Sequence, residues 1–382
     1  MKKAIIVLLL LAFVAGGLFA QDGLTFGGRV MAGIGMWKIG DNDPGWGIAT
    51  SAGTTRGMRL NFTAAYTNAD KNKGFNLYLR ARGASYSNRV FSPASGGTFE
   101  ILYAQGWFTA FDGLLKINGG KTFDTPFGYT DWWGQDDPAD ASYGLYATIK
   151  ASDAIRVGFG MNSRNGLDRG VPFGGRNSTG PTDNDGDYVN GINTWVGFRG
   201  EFGVVDTRAY FKIRKDYMEL HVGAVIEVGD LEIAIPIYVY DLSNYSDSGE
   251  FIFLPYVTFG GIENMSINVF GQLCLDGSGG DPSVGGMIAV DYKFGNIIPR
   301  LAVAYMSGAT YCGASYGLKE CIWDFNKYDK GYAYLLIRPQ LRCRTSSSSY
   351  IDFAGVFSIQ TGDKKPSNPV SIGALIDFNV SF

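Results

Sequence analysis

The sequence predicts an all-β fold, a transmembrane antiparallel β-barrel of about 18 strands, with 16 as the alternative count. Three observations carry this. Apolar and polar residues alternate with period two in segments of roughly ten residues, the length a tilted strand needs to cross a bilayer. The joints between these segments alternate between short and long. Beyond the first 20 residues no apolar run is long enough for a membrane helix, while glycine reaches 54 residues and aromatics 14%.

The chain opens with Lys2 and Lys3, an apolar run from Ala4 to Val14, and a small-residue stretch ending at Ala20 before Gln21-Asp22. That is the order of a secretory signal, so residues 1–20 are expected to be a signal peptide and residues 21–382 the barrel. An uncleaved anchor helix is the competing reading. No cysteine follows the cut, which argues against a lipoprotein anchor. Removing residues 1–20 takes away two lysines and no acid, leaving 31 basic against 36 acidic side chains, a net charge of −5. A mildly acidic chain offers no electrostatic footprint for nucleic acid.

Taken in order, strands are expected near 24–38, 57–67, 74–83, 99–111, 114–123, 144–150, 154–162, 192–202, 204–214, 218–228, 231–240, 250–259, 265–275, 284–294, 297–306, 332–344, 350–359 and 370–382. In the second, Met58, Leu60, Phe62, Ala64 and Tyr66 alternate with Arg59, Asn61, Thr63 and Ala65. In the third, Phe75, Leu77, Leu79 and Ala81 alternate with Asn76, Tyr78, Arg80 and Arg82. The ninth sets Val205, Thr207, Ala209, Phe211 and Ile213 against Asp206, Arg208, Tyr210, Lys212 and Arg214, and the tenth repeats the pattern around Glu219, His221 and Glu227. Pro236 falls inside the eleventh, which demands a bulge or a missing ladder bond. In the last, Val370, Ile372, Ala374, Ile376, Phe378, Val380 and Phe382 share one face, and only Leu375 breaks the opposite polar one. Lipid outside and water inside suit that division.

Joints after the even-numbered strands are all short, for example Asp112-Gly113 and Gly295-Asn296. The other joints include long polar segments at 40–56, 84–98, 124–143, 163–191 and 307–331, and only 215–217 departs from the rule. Short periplasmic turns and long external loops have this rhythm, which implies an even strand count with both termini on the periplasmic side. An open sheet edge in hydrocarbon would leave backbone groups unpaired, so the sheet must close.

The chain resembles the bacterial outer-membrane porin family on three features. The terminal strand ends on Phe382 behind Phe378 and Val380, which is similar to the signal read by the barrel-assembly machinery. The passage from Gly119-Gly120-Lys121-Thr122 to Thr125-Pro126-Phe127-Gly128 is similar to a porin strand and loop with a Gly-Arg-Gln-x-x-Thr-Pro-Phe-Gly style sequence, with Lys121 where arginine is usual. That lysine keeps the charge and loses the planar fork. The third feature is position, since the passage is the fifth strand and general porins fold the following loop inward. The resemblance therefore implies an inward constriction loop at about 124–143, location in the cell outer membrane, contact with its lipid, and a homotrimer. It also implies passive diffusion of small hydrophilic solutes.

Asp124, Asp131, Asp136, Asp137 and Asp140 crowd the expected constriction, and inward strand faces would bring Arg59, Arg80, Arg82, Arg208, Arg338 and Arg342 opposite them. Lys121 joins this set through the resemblance alone, because alternation places it with Leu115 and Ile117. Facing acidic and basic walls would set a transverse field across a pore. The competing reading is that these charges only solvate the lumen and loops. Trp37, Trp107, Trp195, Tyr66, Tyr292 and Phe294 lie near strand ends and are candidates for aromatic girdles, with inward packing as the alternative for Trp37 and Trp107.

Asp183-Asn184-Asp185-Gly186-Asp187 lacks the spacing of a calcium loop and reads as a solvated one. Cys312 and Cys321 share one segment and leave both a disulfide and two thiols open. The one histidine, His221, has no arranged serine or cysteine, so no enzyme, cofactor or metal site is expected. The rival to a channel is a surface adhesin or structural barrel acting through loops 163–191 and 307–331.

Overall fold

A computed structural model describes residues 23–39, 45–48, 59–82, 98–122, 125–131, 134–136, 138–139, 143–163, 192–214, 217–280, 282–307, 333–362 and 367–382. The expected signal peptide, the acidic patch at 183–187 and both Cys312 and Cys321 lie outside them. The described strands form one antiparallel barrel of eighteen. They run Leu24–Ile39, Arg59–Thr67, Lys73–Arg82, Thr98–Ala110, Leu115–Lys121, Tyr143–Lys150, Ile155–Ser163, Ile192–Phe202, Val205–Arg214 and Tyr217–Val228. An interrupted eleventh (Leu231–Ala234, Ile237–Tyr240) and twelfth (Glu250–Phe253, Tyr256–Ile262) follow. Then come Met265–Asp276, Ser283–Tyr292, Ile297–Ser307, Ala333–Arg344, Tyr350–Gln360 and Val370–Ser381. The count is that of the hydrophobic alternation, and the sixteen-strand alternative falls.

Closure occurs along the first strand. Its Leu24–Met31 stretch pairs with the second strand, while Arg29–Ile39 pairs with the last, from Arg29↔Ser381 to Ile39↔Ser371. Where the second strand no longer reaches, the short strand Gly45–Ile48 pairs with Ile34–Trp37 instead. The sheet thus closes on itself along the first strand, as hydrocarbon requires.

The two interruptions lie side by side. Pro236 and Pro255 occupy the gaps of the eleventh and twelfth strands, where proline has no N–H to offer. Their carbonyls still accept, from the N–H of Leu254 at 3.2 Å and of Gly271 at 2.8 Å. Proline also stands within the fifteenth strand, at Pro299, and the sixteenth, at Pro339, while the interruption at Pro236 falls where the sequence demanded one.

Burial inverts the globular rule. In the last strand Ile372, Ile376, Phe378 and Val380 are 48%, 52%, 44% and 46% exposed, whereas Asp377 and Asn379 are wholly buried. The apolar face points out to the bilayer and the polar face in. Leu375, the off-phase residue, is buried against Ala354 on the inside. No helix among the described residues is long and apolar enough to cross a membrane.

The inner face is not uniformly polar. On the eleventh to sixteenth strands it carries a buried apolar cluster that includes Tyr238, Leu254, Phe270, Met287, Met306 and Leu336. These residues occupy the phase opposite the exposed Ile288, Leu301, Val303 and Tyr305. The inner face of these strands is therefore mixed, since Asn268, Gln272 and Arg338 are buried on it beside the apolar cluster.

Candidate pore segment and charged inner wall

The segment between the fifth and sixth strands turns into the barrel. Phe127 is 0% exposed. Its ring lies over Gly158 and Gly197, register partners on the seventh and eighth strands, so closely that a Cβ at either glycine would overlap it. Trp195 and Tyr146 complete the contact, with ring centroids 5.9 Å from Phe127 to Trp195 and 5.7 Å from Tyr146 to Trp195. The neighbouring carbonyl of Gly128 accepts a 2.7 Å hydrogen bond from Nη1 of Arg208, on the inner face of the ninth strand. Further along, Ala139 is buried and its carbonyl accepts from Nδ2 of Asn162 at 3.3 Å. The middle of the segment forms a small hairpin, Tyr129–Asp131 with Gly134–Asp136.

The described residues expected at the constriction stand on several elements. Asp131 and Asp136 lie on that hairpin, in register with Gly134 and Tyr129, while Asp124, Asp137 and Asp140 fall outside the described residues. Arg59 and Arg82 stand in register with each other across the second and third strands. Arg80 donates from Nη2 to the Tyr78 hydroxyl at 3.3 Å. Lys121 is in register with Ala104 and Tyr143; its ammonium donates to the Ile101 carbonyl at 2.6 Å and lies 6.0 Å from the Tyr143 ring centroid. Arg338 is buried within the inner wall, at 2% exposure.

The wall cations meet wall carboxylates. Arg342 holds Asp352 through Nε and Nη2, both at 2.8 Å, and lies 3.7 Å from the Tyr350 ring centroid. Arg300 makes the same two-pronged contact with Asp291 at 2.9 and 2.8 Å. Near the short turn between the eighth and ninth strands, Arg199 and Arg208 share Asp206, and Arg156 and Arg199 share Glu201. Lys212 pairs with Glu219 at 3.0 Å. These partners sit mostly on adjacent strands, so each cation is neutralised within a few ångströms, and its reach across the lumen is shortened. Alternation pointed to Arg208, Lys212 and Arg342 but not to Arg156, Arg199 or Arg300, and it could not identify partners, which depend on cross-strand register.

Aromatic placement corrects one expectation. Trp195 is not part of a lipid-facing girdle but faces inward at 2% exposure, because Ile192, Val196 and Phe198 take the outer phase of its strand. Lys116 lies 4.8 Å from the Trp107 ring centroid, placing Trp107 on the inner wall. Tyr292 and Phe294 are exposed, and Tyr66 stacks on Phe75. His221 is buried between the stacked ring of Tyr210, at 4.3 Å, and the edges of Tyr238 and Tyr240, at 4.9 and 5.1 Å. Among the described residues no cluster of three or more histidines, cysteines or carboxylates could hold a metal, and no disulfide joins Cys274 to Cys343.

No protein-family model matches the chain, and no curated protein matches it. Solved structures do. OpdQ of Pseudomonas aeruginosa superposes with a TM-score of 0.59 at 7% identity, covering 95% of this chain and 99% of that one. OccK8 (OprE) of the same organism gives 0.58 at 8%, over 94% and 98%. OccAB4 of Acinetobacter baumannii gives 0.56 at 10%, over 95% and 99%. The outer membrane protein opdK of Pseudomonas aeruginosa gives 0.55 at 10%, over 94% and 99%. The likeness runs over whole chains and shows a shared fold, that of an outer-membrane porin barrel.

Proposed function

We propose that this barrel is an outer-membrane channel through which small hydrophilic solutes diffuse passively, narrowed by the segment that follows the fifth strand. The observation that carries the reading is the burial of Phe127 against Gly158 and Gly197, because a segment held on the inner wall takes up lumen cross-section. Passage would then be filtered by size, and by the charged wall around Arg80, Arg208 and Arg342. The local ion pairs support a polar, water-tolerant path more than a strong transverse field. Ionised side chains in a wetted lumen escape the penalty that they incur on a lipid face. Reconstitution of the folded chain in planar bilayers tests this. Stepwise conductance is expected, and a silent bilayer with demonstrably inserted protein would overturn the reading.

The buried apolar cluster on the inner face of the eleventh to sixteenth strands favours one alternative, a structural or adhesive barrel whose work lies in its external loops. Under it, the same bilayer would carry no current, and trimming residues 163–191 would abolish binding to a surface ligand.

A further inference from the structure

We propose that Phe127 is the positioning residue of the inward segment: its ring, seated in a notch left by the facing pair Gly158 and Gly197, fixes where that segment stands in the lumen. The notch exists because two adjacent strands omit the inward side chain at the same level, while the next inward glycine of the seventh strand, Gly160, is already covered by the Trp195 ring. Tyr146 and Trp195, both register partners of Gly160, wall the next level, so the ring has an aromatic boundary on one side. On the other, Arg208 binds the Gly128 carbonyl and is itself steadied by Asp206, which also binds Arg199. Apolar burial holds the ring, and a charge-assisted hydrogen bond fixes the peptide beside it. A glycine pair under an aromatic ring leaves room for one docked position, since any shift along the wall meets a neighbouring side chain.

The test uses the full chain folded in detergent, with barrel integrity read from heat-modifiable gel mobility. Chymotrypsin cleavage within Tyr129–Trp133, mapped by mass spectrometry, reads whether the segment is held. Phe127→Ala should raise that cleavage roughly tenfold or more, since proteolysis follows the undocked population. Phe127→Leu should stay near the parent, Gly158→Ala should mimic Phe127→Ala, and the two together should add little to either alone. Arg208→Met unties Gly128 without touching the notch and should also raise cleavage, which serves if a notch variant does not fold. Unchanged cleavage in folded Phe127→Ala, or a Gly158→Ala effect that multiplies with it, overturns the proposal. The consequence for pore size rests on the channel reading: conductance steps should become larger or more scattered in Phe127→Ala. A silent parent protein would remove that reading and leave the protease comparison standing.

Discussion

Phe382 and Gly28 exchange two backbone hydrogen bonds, Gly28 N–H to Phe382 O at 2.8 Å and Phe382 N–H to Gly28 O at 3.0 Å, and the terminal ring lies over the glycine. The last residue of the chain is thus bonded to the first strand, and a side chain at position 28 would enter the ring. Gly28→Val should destabilise the seam by about 1–3 kcal/mol through overpacking. Removal of Phe382 should cost more, because it strands two backbone groups. Urea titration of the heat-modifiable form in lipid vesicles measures both, and equal stability of Gly28→Val and the parent would contradict the contact.

The Arg342–Asp352 pair joins the sixteenth and seventeenth strands with its carboxylate fully buried. Breaking it from one side leaves a buried charge, so Asp352→Ala should cost about 3–5 kcal/mol. Replacing both partners, as Arg342→Met with Asp352→Leu, should recover most of that loss. A double variant as unstable as the single one in the same titration would show that the pair does not act as a unit.

Ile376 points to lipid and Thr63 into the barrel. Arginine at Ile376, near mid-strand, should cost about 2–4 kcal/mol and reduce insertion into vesicles. The same charge at Thr63 should be tolerated. Insertion yields that fail to separate the two sites would place the membrane on the wrong face.

Asp153, in the turn after the sixth strand, accepts from Lys150 at 2.6 Å. That hydrogen bond, with the charge of Lys150 behind it, holds the carboxyl below its usual range. A depressed folded value means the contribution is present above the unfolded pKa and is lost as pH falls through the folded one. The group is fully solvent-exposed, so screening leaves it little weight. Asp153→Asn should leave the neutral-pH titration unmoved, while an NMR titration of the parent should show Asp153 protonating at lower pH than an ordinary aspartate.

Strand number, phase and closing seam were legible in the chain because a membrane barrel writes them locally. Each residue faces lipid or lumen by parity alone, and Val370 to Phe382 shows its two faces without reference to any other strand. Leu375 and Pro236 broke the pattern in the sequence and mark real irregularities in the barrel. The inward turn after the fifth strand was legible only through likeness to porins.

What tertiary structure decided are the contacts that parity cannot see. Asp206 reads as one more polar lumen residue until register sets it between Arg199 and Arg208. Trp195 reads as a girdle residue until Phe127 is found against it. Nothing in the seventh or eighth strand says that Gly158 and Gly197 are opposite one another or that a ring from another segment fills the space. Alternation fixes the side of the sheet on which a residue stands. Partnership across the lumen depends on register and on the path of a loop, and those are set by packing between residues far apart in the chain.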